Sequence, residues 1–257
     1  MAGPDPNDPG SLHQPPPDLT GFADPDLSGV TLGVFWPWFR DADDEVVAVC
    51  EVMLERLRQR GATLREVVIP DLEAARVAHA ITICAEMAQA MSATYAQHHH
   101  DHGYDVRLNL RIARALTALD YVQAQRVRTR LIANLQRVFT EVDAIVTPAT
   151  ATVAPLIPDA AHGIGISDLS TTSRLMRFAT PANLAGLPAI SFPAGYTADR
   201  LPVGMQAIGR PWEERLLLRL ARTAETSMER LTPARHFQLL PPFETSTAQV
   251  TNPATPN

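Results

Sequence analysis

The chain has 257 residues, 22 basic and 28 acidic side chains, 8 histidines and a formal net charge of −6. All 22 basic residues are arginine, a bias that fits GC-rich coding, so Schiff-base, P-loop and serine–lysine chemistry cannot arise within this chain. The acidic balance argues against nucleic-acid binding, and no apolar run reaches the ~18 residues that a membrane span needs.

Residues 1–28 read as an extended, loop-like lead-in, because Pro4, Pro6, Pro9, Pro15, Pro16, Pro17 and Pro25 remove donors and disfavour helix before them. The start carries neither a basic nor an apolar leader segment, which implies a cytoplasmic location. Thr31 to Trp36 suits a strand. Asp43 to Arg60 places Val46, Val49, Cys50, Met53, Leu54 and Leu57 at helical spacing, with Gly61 as the stop. Leu64 to Ile69 is strand-like and ends at Pro70, completing a unit the size of a parallel β-α-β crossover. Residues 71–97 are mostly helical. A long helical region follows over Val106 to Val142, with a break near Ala115–Ala118 and a restart at Thr117, whose hydroxyl pairs with Asp120 as a capping box. Arg126, Arg128, Arg130 and Arg137 read as solvated faces.

Ala144 to Thr147 is a strand closed by Pro148, and Ala151 to Gly165 a loop. Asp168 or Ser170 caps a helix carrying Leu175, Met176 and Phe178. Ala189 to Phe192 and Val203 to Ile208 are strands joined by turn-rich sequence, and Glu213 to Arg230 is an amphipathic helix. The chain from about Phe243 is a Ser/Thr/Ala/Pro-rich tail expected to be disordered. The alternation predicts an α/β fold, a mixed β-sheet flanked by helices, over residues 29–242.

Several polar groups invite functional roles that their spacing weakens. His98-His99-His100-Asp101-His102 holds metal-ligand types, but adjacent residues point apart and Gly103 follows, so a loop without a functional metal is expected. His79 and Cys84 lie five positions apart on a helix, on different faces, which disfavours a thiol–imidazole pair. Cys50 and Cys84 both read as reduced, buried thiols. Gly163-Ile164-Gly165 is too short for a dinucleotide fingerprint. Ser167, Ser170, Thr171, Thr172 and Ser173 suit capping better than nucleophilic attack, since no Gly-x-Ser-x-Gly elbow is present.

The most informative stretch is Asn183-Leu184-Ala185-Gly186-Leu187-Pro188, continuing through Leu201-Pro202-Val203-Gly204-Met205-Gln206-Ala207-Ile208-Gly209. Glycines and prolines at these intervals demand close backbone approach around two short strands. Here the chain resembles the C-terminal half of the amidase signature family. Val142 to Pro148 is similar to a late core strand of that fold. Thr172 to Phe178, with Val67 to Pro70 and Asp120-Tyr121, resembles the fatty-acid-amide-hydrolase-like branch. Met1 to Pro9 is similar to the Ala-Gly-x-Asp-Pro-x-Asp segment that follows the family's catalytic region. The resemblance covers roughly residues 1–240.

The resemblance implies amide hydrolysis without metal or organic cofactor, by a serine–serine–lysine triad. Family members carry those serines in a Gly/Ser-rich stretch upstream of the Ala-Gly-x-Asp-Pro segment, and the lysine further upstream. This sequence has no lysine and no Gly-Gly dipeptide, so no catalytic residue carries over. The expectation is a C-terminal amidase portion that is incompetent alone. The alternative is a non-catalytic or complementing subunit that binds an N-terminal amidase half, another partner or a second copy of itself. Met176, Phe178, Thr180 and Asn183 are the candidates for a substrate-pocket wall, with core packing as the competing role for each. Related amidotransferases carry an acidic residue where Met176 falls; an apolar residue there suits a hydrophobic amide.

Overall fold

The computed structural model describes residues 3–157 and 168–232. In chain order these form β1 (Thr31–Val34), α1 (Trp36–Phe39), α2 (Asp44–Gln59), β2 (Thr63–Glu66), α3 (Leu72–Ala90), α4 (Ser92–His98), α5 (Tyr104–Ala113) and α6 (Ala118–Val138). There follow β3 (Ala144–Pro148), α7 (Leu169–Leu175), α8 (Thr180–Ala185), β4 (Ala189–Tyr196), β5 (Pro202–Gly209) and α9 (Glu214–Thr226).

The strands form one mixed sheet in the order β2-β1-β3-β5-β4. β1 pairs parallel with β2 and β3, and β5 pairs antiparallel with β3 and β4. The parallel β1-α2-β2 unit is the crossover expected from its length. Period-2 alternation then divides the core. Ala144 and Val146 of β3, Phe192 and Ala194 of β4, and Val203, Met205 and Ala207 of β5 point to one face, where Val46, Cys50, Met53 and Leu57 of α2 and Leu217 and Leu220 of α9 cover them. Ile145 and Ile208 point to the other, under Ala75 and Ala78 of α3, Leu131 and Leu135 of α6 and Ala182 of α8. The second cover stops short of β4, so Ala189, Ser191 and Pro193 stay exposed on that face.

Local signals explain most boundaries. The amide of Ala62 donates to Leu57 O and that of Gly61 to Arg58 O, which is the Schellman pattern at the end of α2. Thr117 and Asp120 exchange both capping-box bonds at the start of α6. The Thr117 hydroxyl, followed by its amide, holds the Asp120 carboxyl below the usual carboxylate range. Asp168, rather than Ser170, caps α7, accepting from the amides of Ser170 and Thr171. Residues 3–28 run as turns, in which Asp5, Asp8, Asp18, Asp24 and Asp26 each accept from the amide two residues on.

Some expectations shift. The apolar run from Thr31 leaves the sheet at Val34, and Pro37 opens a one-turn helix instead. Ordered pairing of the second strand covers Thr63–Glu66, with Val67 and Ile69 buried beyond it. Residues 71–97 divide into α3 and α4. α7 ends before Met176 and Phe178, and Thr180–Ala185 forms a further short helix, α8, where the sequence pattern predicts none. β4 runs to Tyr196, through Pro193, because an edge strand needs no donor on its open side. Cys84 is half-buried rather than enclosed. Gly163 to Ser167 and the tail from Phe243 lie outside the described residues.

Gly61 sits at φ +101°, and a Cβ there would lie 2.8 Å from the amide nitrogen and hydroxyl of Ser28. Gly61→Ala is expected to destabilise the fold by about 1–3 kcal/mol, read as a lower urea midpoint at unchanged slope.

Candidate functional site

The segment joining α7 to α8 carries the four residues nominated from sequence, and the sheet holds it in place. Buried Gln206 of β5 points to the second face. Its Nε2 donates to the carbonyl of Phe178 at 2.9 Å and faces the Thr147 hydroxyl at 3.5 Å. The Gln206 side chain thus reaches up through the face that β3 and β5 share and fixes the turn above it.

Phe178 is fully buried, its ring tilted against Trp38 at 5.4 Å. Thr180, 4% exposed, opens α8 and borders a cleft of about 240 Å³ between α1, α3 and α8. Phe35, Trp38, Leu72 and Pro181 supply its apolar wall. Asp41, Glu73, Arg76 and Arg177 supply its polar rim, with Arg76 paired to Glu73 and Arg177 to Asp41. The Arg76 guanidinium holds the Glu73 carboxyl below its usual range, and Arg177 adds to the effect.

The four candidates therefore separate. Phe178 and Thr180 meet around Trp38. Met176 is 38% exposed and does not line the cleft, and Asn183 is exposed on α8. Trp38 and Gln206 are the contributors that sequence reasoning did not nominate. Gln206 stands within the recognised Leu-Pro-x-Gly-x-Gln segment, so its polarity amid an apolar strand was the available signal. Trp38 is brought in from 140 positions upstream by folding alone.

The other polar groups are placed as follows. Burial pushes the His79 imidazole down and the Cys84 thiol up, which favours the uncharged form of each. Cys50 is enclosed, and burial, reinforced by Glu51, pushes its thiol up to about 12. His98 Nδ1 pairs with Asp101 at 2.9 Å, and His99 stacks on Tyr95. Among the described residues no three metal-ligating side chains converge.

Comparison with known proteins shows the family and the fold. The Amidase family model matches residues 1–218. A fatty acid amide hydrolase of Medicago truncatula is 41% identical over 213 residues, covering 81% of this chain and 35% of that protein. The glutamyl-tRNA(Gln) amidotransferase of Myxococcus xanthus has one component that is 30% identical over 251 residues, covering 88% of this chain and 50% of that component. A solved structure described as a vestigial protein complex that reveals the origins of an s-triazine catabolic enzyme superposes with a TM-score of 0.73 at 24% identity, covering 88% of this chain and 49% of that one. The chain spans half or less of the length of each.

Gln206→Leu keeps the volume but strands a buried carbonyl, and should cost about 1–3 kcal/mol in chemical denaturation. In the folded protein at pH 8, a disulfide-exchange reagent should titrate Cys84 and spare Cys50, and titrate both after unfolding. The match of the family model over most of the chain, joined to the mixed sheet and the Gln206-anchored turn, means that this chain belongs to the amidase family.

Proposed function

We propose that this chain is the C-terminal portion of a carboxamide hydrolase, supplying sheet and pocket wall but not the catalytic groups. One observation carries the proposal: a chain of 257 residues in a family that uses a lysine base contains no lysine. In family members that lysine accepts the nucleophile's proton through a second serine, and amides of a Gly/Ser stretch hold the oxyanion. Arginine does not replace it, because a guanidinium stays protonated at neutral pH.

The substrate would be an amide with an apolar acyl or aryl group. Met176, partly exposed where an acidic residue would hold a substrate amine, offers apolar surface instead. Trp38 adds apolar wall at the cleft, and the rim carboxylates of Glu73 and Asp41 are already paired with Arg76 and Arg177. Thr180 and Asn183 remain candidates for polar contact from the same segment. No metal or organic cofactor enters this chemistry.

A second role, as a complementing subunit, is supported by the two edges of the sheet. β2 is four residues long and carries Arg65 and Glu66, which discourage pairing. β4 is eight residues long, contains no charged side chain and exposes Ala189, Ser191 and Pro193 on its uncovered face. Such an edge calls for a neighbour, and an amidase N-terminal half bearing the serines and lysine would both cover it and complete the site.

Purified alone, the chain is expected to hydrolyse no amide in a panel of long-chain acyl, aryl and short aliphatic amides. Turnover blocked by a serine-directed reagent would contradict the proposal. Co-expressed with an amidase N-terminal half, it should co-purify and restore turnover, and Ser191→Arg should weaken that association while Arg65→Ala should not. Absence of any complex removes the subunit role, and self-association through β4 would assign the edge to a second copy.

A further inference from the structure

We propose that α7 is a charge-latched lid over the cleft lined by Trp38 and Thr180. Helices of this fold such as α2, α6 and α9 are held by buried apolar side chains. α7 has none: no residue of Leu169–Leu175 is buried. Among the described residues, the side chains that tie it to the rest of the fold make two long-range ion pairs to the connection between α1 and α2. Arg174, in the last turn of α7, pairs with Asp43, and Arg177, just beyond it, pairs with Asp41. Two backbone bonds run alongside, from the amide of Asp43 to Ala151 O at 2.8 Å and from the amide of Ala151 to Arg174 O at 3.1 Å.

The position of the latch gives it a consequence. Asp41 and Arg177 are themselves part of the cleft rim, next to Trp38, Thr180 and Pro181. Releasing the Arg177–Asp41 pair therefore opens the cleft on the side of α7. Phe178, enclosed and held by Gln206, stays with the sheet and acts as the fixed end about which α7 swings. Exposed ion pairs of this kind are individually weak and are screened by salt, whereas the apolar contacts of α2 and α9 are not. Ionic strength thus acts on α7 selectively. Asp43 also precedes α2 as its N-cap residue, without a side-chain capping bond, so its carboxylate serves the latch instead.

Amide exchange on the full chain tests this, followed by mass spectrometry at 50 mM and 1 M NaCl. The amides of α7, with those of Thr172 and Met176 that close its two ends on Asp168 O and Thr172 O, should exchange about fivefold faster or more at high salt, while peptides from α2 and α9 stay unchanged. The double variant Asp41→Asn, Asp43→Asn keeps a capping side chain at position 43. At low salt it should exchange in α7 at the high-salt rate of the parent and show no further response to salt. A cysteine at the cleft, Thr180→Cys in a Cys84→Ser background, should be alkylated faster in parallel. Salt-independent exchange in α7, equal loosening of all helices, or faster α7 exchange with unchanged alkylation at position 180 would each overturn the lid.

Discussion

One aspartate–arginine junction joins the two halves of the sheet. The backbone amide of Asp143 donates to Thr31 O at 2.8 Å, and its carboxylate accepts from the Thr31 amide at 2.9 Å. Arg210, directly after β5, donates to the same carboxylate at 3.1 Å and to Val142 O at 2.8 Å, and its Nε reaches Phe139 O at 3.2 Å. A single node therefore ties the parallel strand β1, the central strand β3, the antiparallel strand β5 and the carboxyl end of α6. Its bond to Phe139 O satisfies a carbonyl that the end of α6 leaves without a partner. β3 itself is buried along its whole length, so its register decides where both neighbouring strands lie.

From that register the placement of the candidate segment follows. Pairing of Thr147 with Gln206 places two polar side chains side by side on the second face of the sheet. Gln206 then captures the Phe178 carbonyl, which sets the turn between α7 and α8 and the entry of Thr180 into the cleft. On the far side, β4 inherits its direction from β5 and ends the sheet with an uncharged edge. The anchor of the candidate segment and the edge thus lie on neighbouring strands. A partner that covers β4 would sit beside Ser191, the cross-strand neighbour of Gln206.

The legible parts of the sequence are those governed by short-range rules. Hydrophobic spacing marks α2 and α9, Gly61 marks a Schellman stop, and Thr117 with Asp120 marks the start of α6. Where a short element lacks a full period, sequence says less. α8 has six residues with a proline near its start, and α1 has four, so neither presents a repeat to recognise. Trp38 reaches Phe178 across 140 positions, and Arg174 reaches Asp43 across 131; no local pattern encodes such pairings. The family motif located the candidate segment from Met176 to Asn183. It could not distinguish the enclosed Phe178 from the exposed Asn183, because helix phase over so few residues depends on how Gln206 anchors the turn.

An amidase sheet and pocket wall without an activated nucleophile would leave this chain inert to reagents that trap one. Intact-mass measurement after treatment with a fluorophosphonate, which modifies activated serines, tests this most directly. The pure 257-residue chain is predicted to keep its mass unchanged. A stoichiometric adduct on any serine of this chain would contradict it.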